Sequence, residues 1–254
     1  MKRIILIIIV LLLPILAMAQ GAGGEIRRPV RTNTNKVNNK PALQEIDYNT
    51  YNTALVEKAE LGDANAQNSL GVCYYYGRGV TQDYAKAFEW YTKSADQGNM
   101  YAQYNLGNCF YYGNGVPQDY AKAFEWYMKS ANQNDSDAQL KVGYFYGTGL
   151  GVSQDYEKAL EWYTKSADQG NMYAEYNLGL YYENGLSVSQ DYEKAFEWYT
   201  KSAYQGNMYA QYNLGIIYQY GRGVALDYTK AIEWYSKAAD QGFEDAKEKL
   251  KALR

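Results

Sequence analysis

Few residues of this chain are equipped for covalent or metal chemistry. There is no histidine among the 254 residues, which removes the commonest general base and the commonest metal ligand together. Zinc would find only Cys73 and Cys109, with no imidazole near them in sequence. No Ser-x-x-Lys occurs, so a serine nucleophile lacks the lysine partner of the penicillin-recognising enzymes. Carboxylates are plentiful, but most return once per repeat, as structural positions do. We therefore expect no catalytic residue, no metal and no cofactor, and look for recognition instead.

Tyrosine carries that expectation, at 30 residues against six phenylalanines. Tyr101, Tyr104, Asn108 and Tyr111 fall at i, i+3, i+7 and i+10 of one helical stretch, on the side away from Leu106. Tyr173 and Tyr176 take the first two of these positions in a later copy, and Tyr209 and Tyr212 in the next. Leu180 and Ile216 follow at the place of Asn108. An asparagine column runs beside them: Asn105, Asn177 and Asn213. Tyrosine rings give contact area at low entropy cost and amides bind backbone, which suits an extended peptide or a helix. The same rings could instead pack between neighbouring helices, and the spacing alone leaves both readings open. The intervening copy breaks the column with Asp137 and Leu140.

The elements that must position these residues are set by a period. Trp90, Trp126, Trp162, Trp198 and Trp234 recur every 36 residues without an insertion. A fixed period of that length marks a solenoid. Each unit holds two helical patterns, A and B. In helix B, Tyr84, Ala87, Phe88, Tyr91 and Ala95 make one apolar stripe at 3.6-residue spacing. Asp83 stands before it as an N-cap, and Gly98 follows where a left-handed residue is wanted. Asn134 replaces that glycine in the second copy, and asparagine tolerates the same conformation. Glu89 and Lys93 form an i, i+4 pair that all five copies keep. In helix A, Ala102, Leu106, Cys109, Phe110 and Gly113 share a face. Gly113-Asn114-Gly115-Val116 then reverses the chain into helix B. This Gly-x-Gly follows a helix rather than a strand, so it is a turn and not a dinucleotide fingerprint. Ser187 replaces the second glycine once, which predicts a less regular turn there. Cys73 and Cys109 take the same place in adjacent A helices. Neighbouring helices lie about 8–10 Å apart and a disulfide needs Cα atoms within about 7 Å, so two buried thiols are expected.

Residues 1–19 read as a signal peptide: Lys2 and Arg3, an apolar run from Ile4 to Leu16, then Ala17 and Ala19. The alternative, a retained anchor, is disfavoured because the run falls short of the roughly 20 residues that span a bilayer. Residues 20–44 carry five basic residues and one acidic, little apolar content and no period, and read as a flexible basic linker. The net charge of −3 therefore hides a more acidic repeat body. Nucleic acid is excluded as a partner on that ground, since phosphate binding needs a basic stripe. The full division is an N-terminal capping helix at 45–62, repeats at 63–98, 99–134, 135–170, 171–206 and 207–242, and a C-terminal capping helix at 243–254. Caps are required because the open end of a stack exposes a core face.

The pattern Ala-x3-Leu-Gly, then Tyr-x-x-Gly-x-Gly-Val, then Asp-Tyr-x-Lys-Ala-x-Glu-Trp-Tyr-x-Lys-x-Ala-x-Gln-Gly resembles the Sel-one-like repeat family, a relative of the tetratricopeptide repeats. The resemblance covers residues 45–254 in five in-register copies. It implies an all-α fold: a right-handed superhelical solenoid of antiparallel helix pairs, with helix A on the concave side. It also implies a scaffold or adaptor role, common in bacterial envelopes. The function expected is an exported monomer, periplasmic or secreted and without a membrane span after cleavage. It would bind a protein or peptide through Tyr101, Tyr104, Asn105, Asn108, Tyr111, Tyr173, Tyr176, Asn177, Tyr209, Tyr212 and Asn213. Cysteine-rich secreted relatives bind or slowly hydrolyse β-lactams, so a β-lactam or cell-wall-fragment binder or weak hydrolase is the alternative; this chain lacks their paired cysteines. A structural spacer is the third reading.

Overall fold

The computed structural model describes residues 49–253. The signal peptide at 1–19, the linker at 20–44 and the start of the N-terminal cap lie outside the described residues. Among the described residues there are twelve helices and no strand. Helix α1 (Thr53–Glu60) comes first. The A helices are α2 (Ala64–Tyr76), α4 (Met100–Tyr112), α6 (Ser136–Thr148), α8 (Met172–Asn184) and α10 (Met208–Tyr220). The B helices are α3 (Tyr84–Asp96), α5 (Tyr120–Ala131), α7 (Tyr156–Ala167), α9 (Tyr192–Tyr204) and α11 (Tyr228–Asp240), and α12 (Glu244–Leu253) follows. The fold is an all-α repeat solenoid. None of these helices is long and apolar enough to cross a membrane.

The chain divides into two compact units. The first runs to Ala138 and includes Leu150–Val152; the second holds Gln139–Gly149 and Ser153 onward. Both are built by the same local rules. Each B helix starts at its aspartate: Asp83, Asp119, Asp155, Asp191 and Asp227 accept from the backbone N–H three residues on, satisfying a donor the helix leaves free. The A helices use Asp63, Asn99, Asn171 and Asn207 in the same way. Glycines in the left-handed region end them: Gly77, Gly113, Gly185 and Gly221. Asn134 does sit at φ 70°, in the conformation expected of it. Ser187 keeps the left-handed turn at φ 55° instead of loosening it, because the turn is held from both sides by regular helices.

Four differences from the sequence-based expectations have physical causes. Helix α1 begins at Thr53, and residues 49–52 before it are not helical. Asn52 caps it by accepting from the Leu55 N–H at 2.8 Å, and the Tyr51 N–H donates to the Arg78 carbonyl at 3.0 Å, which ties down the preceding chain. The stripe of helix B is Ala87, Tyr91, Ser94 and Ala95; Tyr84 is exposed and Phe88 only half-buried. Ser94 is buried because its hydroxyl donates to the Ala64 carbonyl at 2.6 Å, joining B to A. Among the described residues no ion pair joins Glu89 to Lys93. The Lys93 ammonium lies over the Trp90 ring at 4.0 Å from its centroid, and the pattern repeats at Lys129, Lys165, Lys201 and Lys237. A ring three residues back holds the stem as well as the charge. In the B helices the caps pair instead, each with the lysine three residues on, from Asp83–Lys86 to Asp227–Lys230.

Helix A is the fourth difference. It is buried on nearly every side, from Ala102 to Phe110 in α4, and not along one face. Its glycines make that possible. The ring of Tyr127 lies against Gly107 so closely that an added Cβ would stand 2.6 Å from two ring carbons. Tyr91, Tyr163, Tyr199 and Tyr235 press on Gly71, Gly143, Gly179 and Gly215 in the same manner. All five tyrosines are among the most buried side chains of the chain. A glutamine relay completes the joint: Gln97 Nε2 donates to Gln67 Oε1 at 2.7 Å, and Gln67 Nε2 to the Ala59 carbonyl at 3.0 Å. Size is matched between neighbours too. Cys109 lies near Tyr75. In the second unit the larger Tyr181 takes the register place of Cys109, and its hydroxyl sits where a Cβ on Gly147 would lie, 2.8 Å from it.

Candidate interaction surface

The eleven residues expected to bind a partner part into two groups. In the first unit Tyr104, Asn105 and Asn108 are buried. The Asn105 amide donates to Asn68 Oδ1 at 2.9 Å, which links α4 to α2. The Tyr127 hydroxyl donates to Asn108 Oδ1 at 2.7 Å, and the Tyr104 and Tyr127 rings are 5.6 Å apart. These three side chains are joints between helices and present nothing to solvent. Tyr101 and Tyr111 are half-buried. Tyr111 packs edge-on against Tyr112 and Tyr120 at 4.8 and 5.5 Å.

In the second unit Tyr176 and Asn177 are buried. Asn177 donates to the Tyr173 carbonyl at 2.8 Å within its own helix, and Tyr176 meets Tyr199 at 5.6 Å. Tyr173, Tyr209, Tyr212 and Asn213 keep partial access to solvent. The rings form a run: Tyr176 to Tyr209 at 6.0 Å, Tyr209 to Phe243 at 5.4 Å, and Tyr212 to Phe243 at 5.0 Å. Asp245 and Glu248 stand near enough to raise the Tyr212 hydroxyl, after burial as the first cause. Tyr220, at 54 % exposure, continues the run toward the turn. The surface that remains is aromatic, with Asp245 and Glu248 near Tyr212 and Arg222 and Lys249 over the Tyr220 ring.

The break in the columns at the third repeat has a consequence that spacing did not reveal. Lys141 stands in register with Asn105, Asn177 and Asn213, and it is 3 % exposed. Burial pulls its ammonium down to about 8. Neither thiol is in a disulfide and both are buried, as the helix spacing predicts. Burial pushes Cys109 up to about 12, so it is protonated and inert at neutral pH. Among the described residues no three Cys, Asp or Glu side chains gather as a metal site.

Set against known proteins, the Sel1 repeat profile matches residues 64–99, 101–135, 136–171, 173–207 and 209–243. A search of curated proteins finds no match. Solved structures do resemble the chain. A protective antigen of uropathogenic Escherichia coli with an SLR fold is 38% identical, with TM-score 0.73. The alignment covers 78% of this chain and 43% of that one, so this chain spans less than half of that protein. A Sel1 repeat protein from Oxalobacter formigenes is also 38% identical, with TM-score 0.72 over 76% of this chain and 79% of that one. A repeat protein from Klebsiella pneumoniae, at 22% identity and TM-score 0.51, shares the fold. With five profile matches that follow the helix pairs one for one, the chain belongs to the Sel1 repeat family.

Proposed function

We propose that the chain is an exported scaffold that binds a protein or peptide partner through the A helices of its second unit. Sel1 repeats form scaffolds that mediate protein interactions. The reading rests on one observation: α10 leaves Tyr212 and Asn213 part-exposed, whereas their register mates Tyr104 and Asn105 are buried inside the first unit; Tyr173 and Tyr209 beside them keep the partial access that Tyr101 also has. Rings and an amide kept part-exposed by buried, rigid helices are suited to hold an extended backbone. Export rests on residues 1–19, which read as a leader.

Alanine at Tyr173, Tyr209 and Asn213 tests the surface, since none of the three is fully buried and the fold should survive. Capture of a partner from the source envelope by the parent and its loss from this folded variant would support the reading. Equal capture by both would refute it. The mature N-terminus, read by mass spectrometry on protein isolated from the envelope, tests export; a product that still begins at Met1 overturns it.

A further inference from the structure

The second unit carries a cleft of about 200 Å³ between α9 and α11, on the B helices, floored by Tyr218 of α10. It is separate from the surface proposed above. Its walls are aromatic: Phe196 meets Tyr218 edge-on at 5.6 Å, and Tyr204 meets Trp234 at 5.5 Å. Three features set it apart from the other seams between B helices. The first is Tyr204, which is 75% exposed. The other four copies hold Asp96, Asn132, Asp168 and Asp240 at this position, and these end their helices without needing a ring.

The second feature is a hydroxyl. Thr92, Thr164 and Ser236 donate to the carbonyl four residues back, each at 2.8 Å. Among the described residues Thr200, their counterpart on the cleft wall, has no such bond, and its Oγ1 is buried with no hydrogen-bond partner. A buried hydroxyl without a partner is costly unless something in the cleft completes it. The third feature is charge. Lys230 and Lys237 line the cleft against one carboxylate, Glu233. Lys230 is paired with Asp227 at 3.7 Å and lies over the Tyr218 ring, while Lys237 has no ion pair among the described residues and lies over the Trp234 ring, 3.9 Å from its centroid. Asp96 and Asp168 put a negative charge at this position of α3 and α7, and Tyr204 has none.

We propose that this cleft binds a short acidic segment of a partner protein, with an aromatic side chain seated between Phe196, Tyr204 and Trp234 and its neighbouring carboxylate on Lys237. The ring meets rings edge-on, as its quadrupole prefers. The carboxylate takes the one cleft amine that has no ion-pair partner, and a backbone amide or carbonyl of the segment completes Thr200. A basic segment would face two amines and is excluded by the same charges.

The probe is a blocked tripeptide with phenylalanine between two glutamates, titrated against the full chain with ligand-observed NMR and tryptophan emission. Its counterpart with two flanking lysines is the control. A small ligand of this size should bind with Kd on the order of 1 mM, and the lysine-flanked peptide at least about tenfold more weakly. Tyr204→Asp installs the residue type of the sister repeats, so the fold should hold; it should weaken the acidic peptide by about tenfold. Lys237→Gln should erase the difference between the two peptides. The proposal is overturned if neither peptide binds, if both bind equally to the parent, or if Tyr204→Asp binds as the parent does. None of these outcomes bears on Tyr173, Tyr209 or Asn213, so the two surfaces are tested apart.

Discussion

Replacing Lys141 should stabilise the protein at neutral pH, and the gain should fade as pH rises. The residue is 3 % exposed in an A helix, and burial lowers its ammonium from 10.5 to about 8. The unfolded chain therefore holds a proton that the folded chain releases between those two values. Stability rises with pH wherever the unfolded state binds more protons. The lysine's contribution is thus full above 10.5 and lost as pH falls through about 8. At about 1.4 kcal/mol per pH unit, the penalty at pH 7 is about 3 kcal/mol, and about 2 kcal/mol of it should return by pH 9.5. Tyrosines set the upper limit of the window. Burial holds the hydroxyls of Tyr91, Tyr127, Tyr163 and Tyr199 well above their ordinary 10.0. Their stabilisation is complete below that value and is lost above it, which bends the curve downward. The assay is urea unfolding by tryptophan emission at steps from pH 7 to 9.5, for the parent, Lys141→Met and Lys141→Asn. The parent midpoint should climb over this range while both variants stay level, at unchanged slope. Parallel curves for parent and variants would refute the burial argument.

Gly107→Ala should cost about 2–3 kcal/mol, because its Cβ would stand 2.6 Å from the Tyr127 ring and neither helix can retreat; the same urea titration reads it. Ser187→Gly should stabilise by about 1 kcal/mol, since the serine is held at φ 55° in a turn that glycine enters freely; a thermal melt is sufficient. Glu175→Gln should stabilise by about 1 kcal/mol at pH 7. Glu175 receives Gln205 at 2.7 Å but, ionised, has no proton to pass on in the glutamine relay. Burial raises its carboxyl, so the parent's own stability falls as pH rises through that raised value. The gain from the variant should therefore vanish toward pH 4, a trend that paired melts at both pH values detect.

The period and the residues that end helices were enough to read the fold. Tryptophans every 36 residues fix the pairing of helices, and aspartate caps and left-handed glycines fix most of the ends. The candidate surface was less legible. Helical spacing says which residues share a side of helix A, but not whether that side meets water. Tyr104, Asn105 and Tyr176 share spacing with Tyr212 and Asn213, yet only the latter pair keeps access to solvent. A helix packed on several sides has no solvent face for a hydrophobic stripe to contrast with, so polar residues there read as surface until their partners are seen. Asn68 is the missed partner: it receives Asn105 from the neighbouring repeat, 37 positions away. The lysine over each tryptophan was hidden for a related reason. Glu89 and Lys93 have the spacing of an ion pair, and only the coordinates reveal that the ring three residues back captures the amine.

The fit between Tyr181 and Gly147 bears on how such an array can change length. Because every unit repeats the same 36 residues, any one of them looks free to be duplicated, deleted or exchanged. A cross-over that removed the third copy would set Tyr181 against Tyr111 where Phe145 now stands, and the hydroxyl that Gly147 makes room for would meet a ring instead. Copies three and four therefore fit each other as a pair. The two junctions that follow a tyrosine carry Cys109 and Phe145, neither with a hydroxyl, so a change in length has to respect side-chain volume and not only the period.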